Sequence, residues 1–211
     1  PDFAHYEKLR DISIDKYLSL QHGLLGDRVL ALRRIYLDQK YWNYCRDAMR
    51  GRPQHPSHTV ILSLLRGLVQ RGHCICPASH VVLEETLKQS DLDSRTLTAQ
   101  VIDELSGGIC LQPYFFFVGF EIYHWLKTTR LVPPDVHPVE RYAWTYPANV
   151  LGVSVPHAKA VPAELYGDMQ KAWFDFSSRI PFSRIASGMQ GCQSAGRKTP
   201  IEHYLKQDEM C

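Results

Sequence analysis

The chain has 211 residues, 45% of them hydrophobic and 22% charged, with 24 Lys and Arg against 22 Asp and Glu. That composition belongs to an ordinary globular chain with room for a proper core, and it argues against intrinsic disorder. The net charge of +2 neither requires nor excludes a nucleic-acid partner, because a polyanion is held by local patches and not by the total.

Residues 1–30 read as a mainly helical, amphipathic segment, with Leu9, Ile12, Tyr17, Leu18 and Leu20 at candidate inward positions. A short strand is predicted at 34–38, then an aromatic-rich helix at 39–50. "GRPQHPSH" (51–58) is a turn-rich break. Ser57 can cap the next helix, in which Val60, Ile61, Leu64, Leu65, Leu68 and Val69 have helical spacing.

Gly72 closes that helix, "HCICPAS" (73–79) reads as a second short strand, and Ser79 caps a helix that carries Glu84 and Glu85. "TLTAQVIDELSGG" reads as a helix closed by glycines, and "ICLQPY" as a third strand. The alternation over 34–113 predicts an α/β fold, a small parallel sheet flanked by helices.

"YFFFVGFEIYHWL" (114–126) is too short to span a bilayer and carries Glu121 and His124, so it is expected to be a buried or partner-facing helix. Residues 131–164 are proline-rich and predict an irregular segment, with helices to follow at 164–180 and from Pro200. The expected organisation is a helical segment at 1–30, an α/β core at 31–130 and an irregular extension at 131–211. The six scattered cysteines and the absence of a signal-peptide pattern point to a reducing, cytoplasmic setting. His73, Cys74 and Cys76 lack the second ligand pair that a structural zinc site needs.

Two carboxylates carry the chemistry. Asp38 stands where the first strand ends and a helix begins, and Glu85 stands in the helix after the second strand. The carboxyl ends of parallel strands share one edge, where ligands bind. Carboxylates gathered there are costly unless a cation joins them, and hard oxygen ligands suit Mg²⁺ or Mn²⁺. The plainer alternative makes Asp38 a helix cap and Glu85 part of a solvated face. Arg33, Arg34, Arg46, Arg50 and Arg52 lie near Asp38 in sequence and could attract phosphate, while Tyr41, Trp42 and Tyr44 could stack on bases.

"IYLDQKYW" followed by "CPASHVVLEET" resembles the bacterial PIN-like nuclease domains, whose members carry a strand-Leu-Asp-Gln-aromatic motif and then a Pro-x-Ser segment with a Glu-Thr beyond it. The resemblance covers roughly 30–112. It implies a PIN-like fold and a metal-dependent ribonuclease, toxin- or defence-related. Asp38 and Glu85 would be its catalytic metal ligands for Mg²⁺ or Mn²⁺, and Arg34, Arg46 and Tyr41 would hold the RNA. Such sites take further acidic residues from a later strand and helix. Asp168, Asp175, Asp208 and Glu209 are available, but none follows an apolar strand. The rival expectation is a catalytically incomplete module that binds a protein partner through 114–126.

Overall fold

The computed structural model describes residues 3–129, 131, 139–153 and 162–188. After α1 (Phe3–Glu7) and α2 (Ile14–Leu30) the chain forms β1 (Arg33–Arg34), α3 (Gln39–Met49), α4 (Pro56–Gln70) and β2 (Cys74–Ile75). Then come α5 (His80–Lys88), α6 (Leu92–Ser106), β3 (Cys110–Leu111) and α7 (Tyr114–Thr128). A 3₁₀ turn (Val139–Tyr142), β4 (Trp144–Thr145), α8 (Pro147–Val150), α9 (Ala163–Ser177) and α10 (Phe182–Gly188) complete the described residues. The helix expected from Pro200 to Cys211, with Asp208 and Glu209, lies outside them.

Local chemistry sets the helix ends. Ser13 caps α2 by accepting from the Lys16 N–H at 3.3 Å, and Asp91 caps α6 by accepting from Ser94 N–H at 3.0 Å. Pro56 occupies the first turn of α4, where its missing N–H costs nothing. The expected cap Ser57 lies inside that helix, and His55 Nδ1 accepts its N–H at 3.2 Å instead. Gly107 ends α6 at φ 56°, a left-handed geometry that glycine adopts freely.

The expectation of an α/β, PIN-like parallel sheet is corrected. The described residues are mostly helical, with only two sheets of two strands each, and every strand is two residues long. β1 pairs with β2 in parallel, and β3 pairs with β4 antiparallel. A single parallel bridge from Ala78 to Cys110 links the two pairs. The physical reason is that runs such as "RRIYL" and "HCICPAS" are too short for periodicity to fix how many residues enter a ladder. Burial comes instead from helix packing around α6, which meets α3, α4, α5 and α10.

The main core gathers Trp42 and Cys45 from α3, Leu62 from α4, Leu83 from α5, and Ile102 and Leu105 from α6. Phe182 of α10 closes it, and the Asp103 carboxylate accepts the N–H groups of Phe182 (2.7 Å) and Ser183 (2.9 Å) at that helix's start. A second cluster joins Leu25 and Val29 of α2 to Ile75, Ile109 and Trp144. Gly26 lets the 3₁₀ turn approach α2, since a Cβ there would overlap the Arg141 carbonyl.

Polar contacts dock α9 onto the N-terminal helices. Arg10 Nε meets Asp168 Oδ2 at 2.8 Å, and the buried Lys171 ammonium donates to the Leu9 carbonyl at 2.7 Å. The hydroxyls of Tyr6 and Tyr17 both donate to Asp175, each at 2.8 Å to Oδ2. These contacts tie residues more than 150 positions apart in sequence.

Candidate functional site

The β1 ladder continues past its last strand residue. Ile35 N–H donates to the Ile75 carbonyl at 2.9 Å, and burial then alternates along the chain: Tyr36 exposed, Leu37 buried, Asp38 exposed. Asp38 holds extended backbone (φ −71°, ψ 160°) and is the N-cap of α3. Its Oδ1 accepts the Gln39 N–H at 2.8 Å, and its carbonyl accepts the Tyr41 N–H at 2.8 Å. The capping expectation for Asp38 is therefore met in the geometry, and it uses one carboxylate oxygen. Asp38 forms no ion pair with a described residue. Beside it, Gln39 Oε1 is buried with no hydrogen-bond partner among the described residues.

The second motif comes to the same edge. Tyr36 OH lies 3.3 Å from Ser79 Oγ, and Ser79 is the N-cap of α5. His80 follows, its ring centroid 5.9 Å from that of Tyr114, so the segment after β3 also arrives here. On α5, Val82, Leu83 and Thr86 face the core. Thr86 donates its hydroxyl to the Val82 carbonyl at 2.8 Å, which gives the threonine of the second motif a packing role. Glu85 is exposed, Glu84 is half-buried, and Glu85 makes no hydrogen bond or ion pair with a described residue.

Asp38 is exposed, the Oε1 of its sequence neighbour Gln39 is buried with no partner among the described residues, and Glu85 is exposed on α5. Mg²⁺ is commonly held by one or two carboxylates, waters and substrate phosphates, not by an all-protein cage. An exposed carboxylate is a donor of the kind such an ion takes. No group of three or more His, Cys, Asp or Glu able to hold a metal occurs among the described residues.

Tyr41 is exposed and meets Tyr44 edge-on at 6.0 Å. Tyr44 in turn stacks on His58 at 4.0 Å and 17°, with Lys40 Nζ 5.6 Å from the Tyr44 ring. This ring ladder begins one turn beyond Asp38. Trp42, also a stacking candidate in the sequence, is wholly buried in the core.

The arginines are placed differently. Arg46 bonds Asp47 at 2.8 Å and Asn43 at 3.2 Å, so its guanidinium is engaged within α3. Arg34 donates to the Leu30 carbonyl at 3.3 Å and lines a cleft of about 790 Å³ with Arg33, Leu68 and His73. Asp38 lies four residue steps beyond Arg34, roughly 13 Å along an extended chain. Arg50 and Arg52 border a further cleft of about 650 Å³ with Asp91 and Asp93. There, hydrogen bonds from Ser94 hold the Asp91 carboxyl below its usual range.

The four thiols among the described residues do not form a reactive site. Cys45, Cys74, Cys76 and Cys110 are free and buried. Burial pushes Cys45 up to about 11 and Cys76 up to about 12, and raises Cys74 and Cys110 as well. A thiol held protonated is a poor nucleophile and a poor metal ligand.

Sequence reasoning gave Tyr36 and Gln39 no role of their own at this edge and read Ser79 as the cap of α5 without its contact to Tyr36. A role for Tyr36 was within reach, since a residue two before Asp38 in an extended segment shares its face. No helix among the described residues is long and apolar enough to cross a membrane. No family model, no curated protein and no solved structure matches this chain.

Proposed function

We propose that this chain is an Mg²⁺- or Mn²⁺-dependent ribonuclease acting at the edge where Asp38 and the start of α5 meet. The observation that carries the reading is the Tyr36–Ser79 contact at 3.3 Å, which sets the two sequence motifs side by side. Asp38 and Glu85 would hold the ion, with a further carboxylate completing the site. A bound divalent ion supplies polarisation of the phosphate and a water of lowered pKa. The chain's own part is to present exposed carboxylates, Asp38 at the start of α3 and Glu85 within α5, and to offer Lys40 and Tyr41 next to Asp38. A toxin- or defence-related role and the PIN-like relationship rest on the resemblance of the two motifs. Four free, buried thiols suit a reducing, cytoplasmic compartment.

The test is cleavage of a mixed pool of single-stranded and transfer RNA by wild type and Asp38→Asn, with Mn²⁺, with Mg²⁺ and with chelator. Metal-dependent cleavage that the variant loses supports the reading. Equal cleavage by the variant overturns the assignment of Asp38.

A second reading, a binding or assembly module, is favoured by α7. Tyr114, Val118, Ile122 and Trp125 are all more than half exposed and recur at helical spacing along one stripe of that helix. A folded wild type without cleavage in any metal would move the weight to this reading.

A further inference from the structure

We propose that Arg34, Tyr36 and Asp38 form a track for a single polynucleotide strand, which enters over the basic cleft beside β1 and runs toward Asp38. The inference rests on the RNA reading above and assigns the path of the RNA and the residue that stacks a base.

The alternation of burial places these three residues on one side of an extended segment, because Ile35 packs against the core and Leu37 is buried within it. Residues two apart in a strand are separated by roughly 6.6 Å, so the row offers a cation, a ring and a carboxylate at regular steps. That spacing is of the order of the repeat of an extended nucleotide chain. Among the described residues β1 pairs on one edge only, with β2.

Each end of the row suits its part. At the start, Arg33, Arg34 and His73 line the 790 Å³ cleft, and its lining holds no carboxylate. The Leu30 carbonyl takes one Arg34 N–H and steadies the side chain, which leaves its other donors for phosphate oxygens. Arg34 also lines a smaller hollow, which Glu140 borders. In the middle, Tyr36 is 58% exposed, and its hydroxyl is fixed by Ser79, so the ring is held in place while its face stays open. A ring so held stacks on a base at little entropic cost. At the far end the strand meets the Asp38 carboxylate and the exposed ring of Tyr41.

Binding is measured with a fluorescent single-stranded RNA in chelator, where no cleavage interferes, and with the same strand made abasic at successive positions. Tyr36→Ala is expected to weaken binding about fivefold to a hundredfold on the intact strand and to make little difference on a strand abasic at the stacked position. Tyr36→Phe, which keeps the ring and loses the bond to Ser79, is expected to bind more weakly than wild type but more tightly than Tyr36→Ala. Arg33→Ala with Arg34→Ala should weaken binding and flatten its salt dependence by roughly one unit per arginine. Unchanged binding by Tyr36→Ala, an equal loss on intact and abasic strands, or no binding by folded wild type overturns the track. Metal-dependent cleavage with unaltered Tyr36→Ala binding sinks the track and spares the nuclease. Base-dependent binding through Tyr36 without cleavage does the reverse.

Discussion

The Tyr36 hydroxyl lies 3.3 Å from Ser79 Oγ, so one side-chain hydrogen bond joins the end of the β1 segment to the cap of α5. The same Ser79 oxygen accepts the Val82 N–H at 3.4 Å. Ser79→Ala removes both interactions and is expected to cost about 1 kcal/mol of stability, as loss of an N-cap usually does. Chemical denaturation of wild type and variant measures it. A midpoint that does not move would mean the cap is redundant.

Asp38 both caps α3 and offers a carboxylate oxygen to the solvent. Asparagine caps about as well as aspartate, so Asp38→Asn should leave the melting temperature nearly unchanged. Cleavage, by contrast, should fall at least about a hundredfold, because losing a ligand outweighs losing a ligand's neighbour. The two effects separate the cap from the chemistry within one variant.

Glu84 and Glu85 are adjacent on α5 but differ in exposure. If Glu85 serves the ion, Glu85→Gln lowers cleavage and raises the Mn²⁺ concentration needed for half-maximal rate, whereas Glu84→Gln changes neither much. A titration of rate against Mn²⁺ decides it. The opposite ranking would transfer the role to Glu84.

Trp42 is fully buried between α3 and its neighbours, and its indole N–H has no partner among the described residues. Trp42→Ala should destabilise the protein by about 3–5 kcal/mol through the cavity it leaves. Trp42→Phe removes the orphaned donor along with some volume, so its cost should be clearly smaller. Similar losses for the two variants would show that the donor is satisfied in solution.

The tyrosines around Asp175 make stability depend on high pH. Burial first, then the hydrogen bond and charge of Asp175, push Tyr6 from 10.0 up to about 12, and Tyr17 moves the same way. The folded state therefore holds these phenolic protons more tightly than the unfolded chain. Their contribution is fully present below pH 10 and is lost as pH rises through about 12. Thermal unfolding should weaken over that window in wild type. Tyr6→Phe with Tyr17→Phe should be less sensitive there.

Much of the helical organisation was legible because it rests on spacing and caps. The extent of α4 and the Ser79 cap of α5 are local features and appear where the residues place them, but the buried face of α4 is Leu62 and Leu65, while Val60, Ile61 and Leu64 stand exposed. The sheet was overread. Ile35 and Leu37 are apolar because they pack on helices, and alternation of that kind looks the same whether the segment pairs over two residues or six. At the site, Asp38 was legible as a strand-to-helix carboxylate. The engagement of Arg46 with Asp47 was not, since neighbours in sequence do not reveal which charge a guanidinium will choose. The Tyr44–His58 stack joins α3 to α4 across the turn, and only the crossing of two helices could bring those rings together.

The four buried thiols have a practical consequence. They sit on α3, on β2 and just after it, and on β3, which is the framework that positions Asp38 and Ser79. A thiol reagent attacks the thiolate, and here the thiolate forms readily only once the framework has opened. The rate at which these sulfurs are alkylated is thus a clock for the opening of the scaffold beneath the candidate site. It runs without any introduced label, and RNA bound to the folded form would slow it.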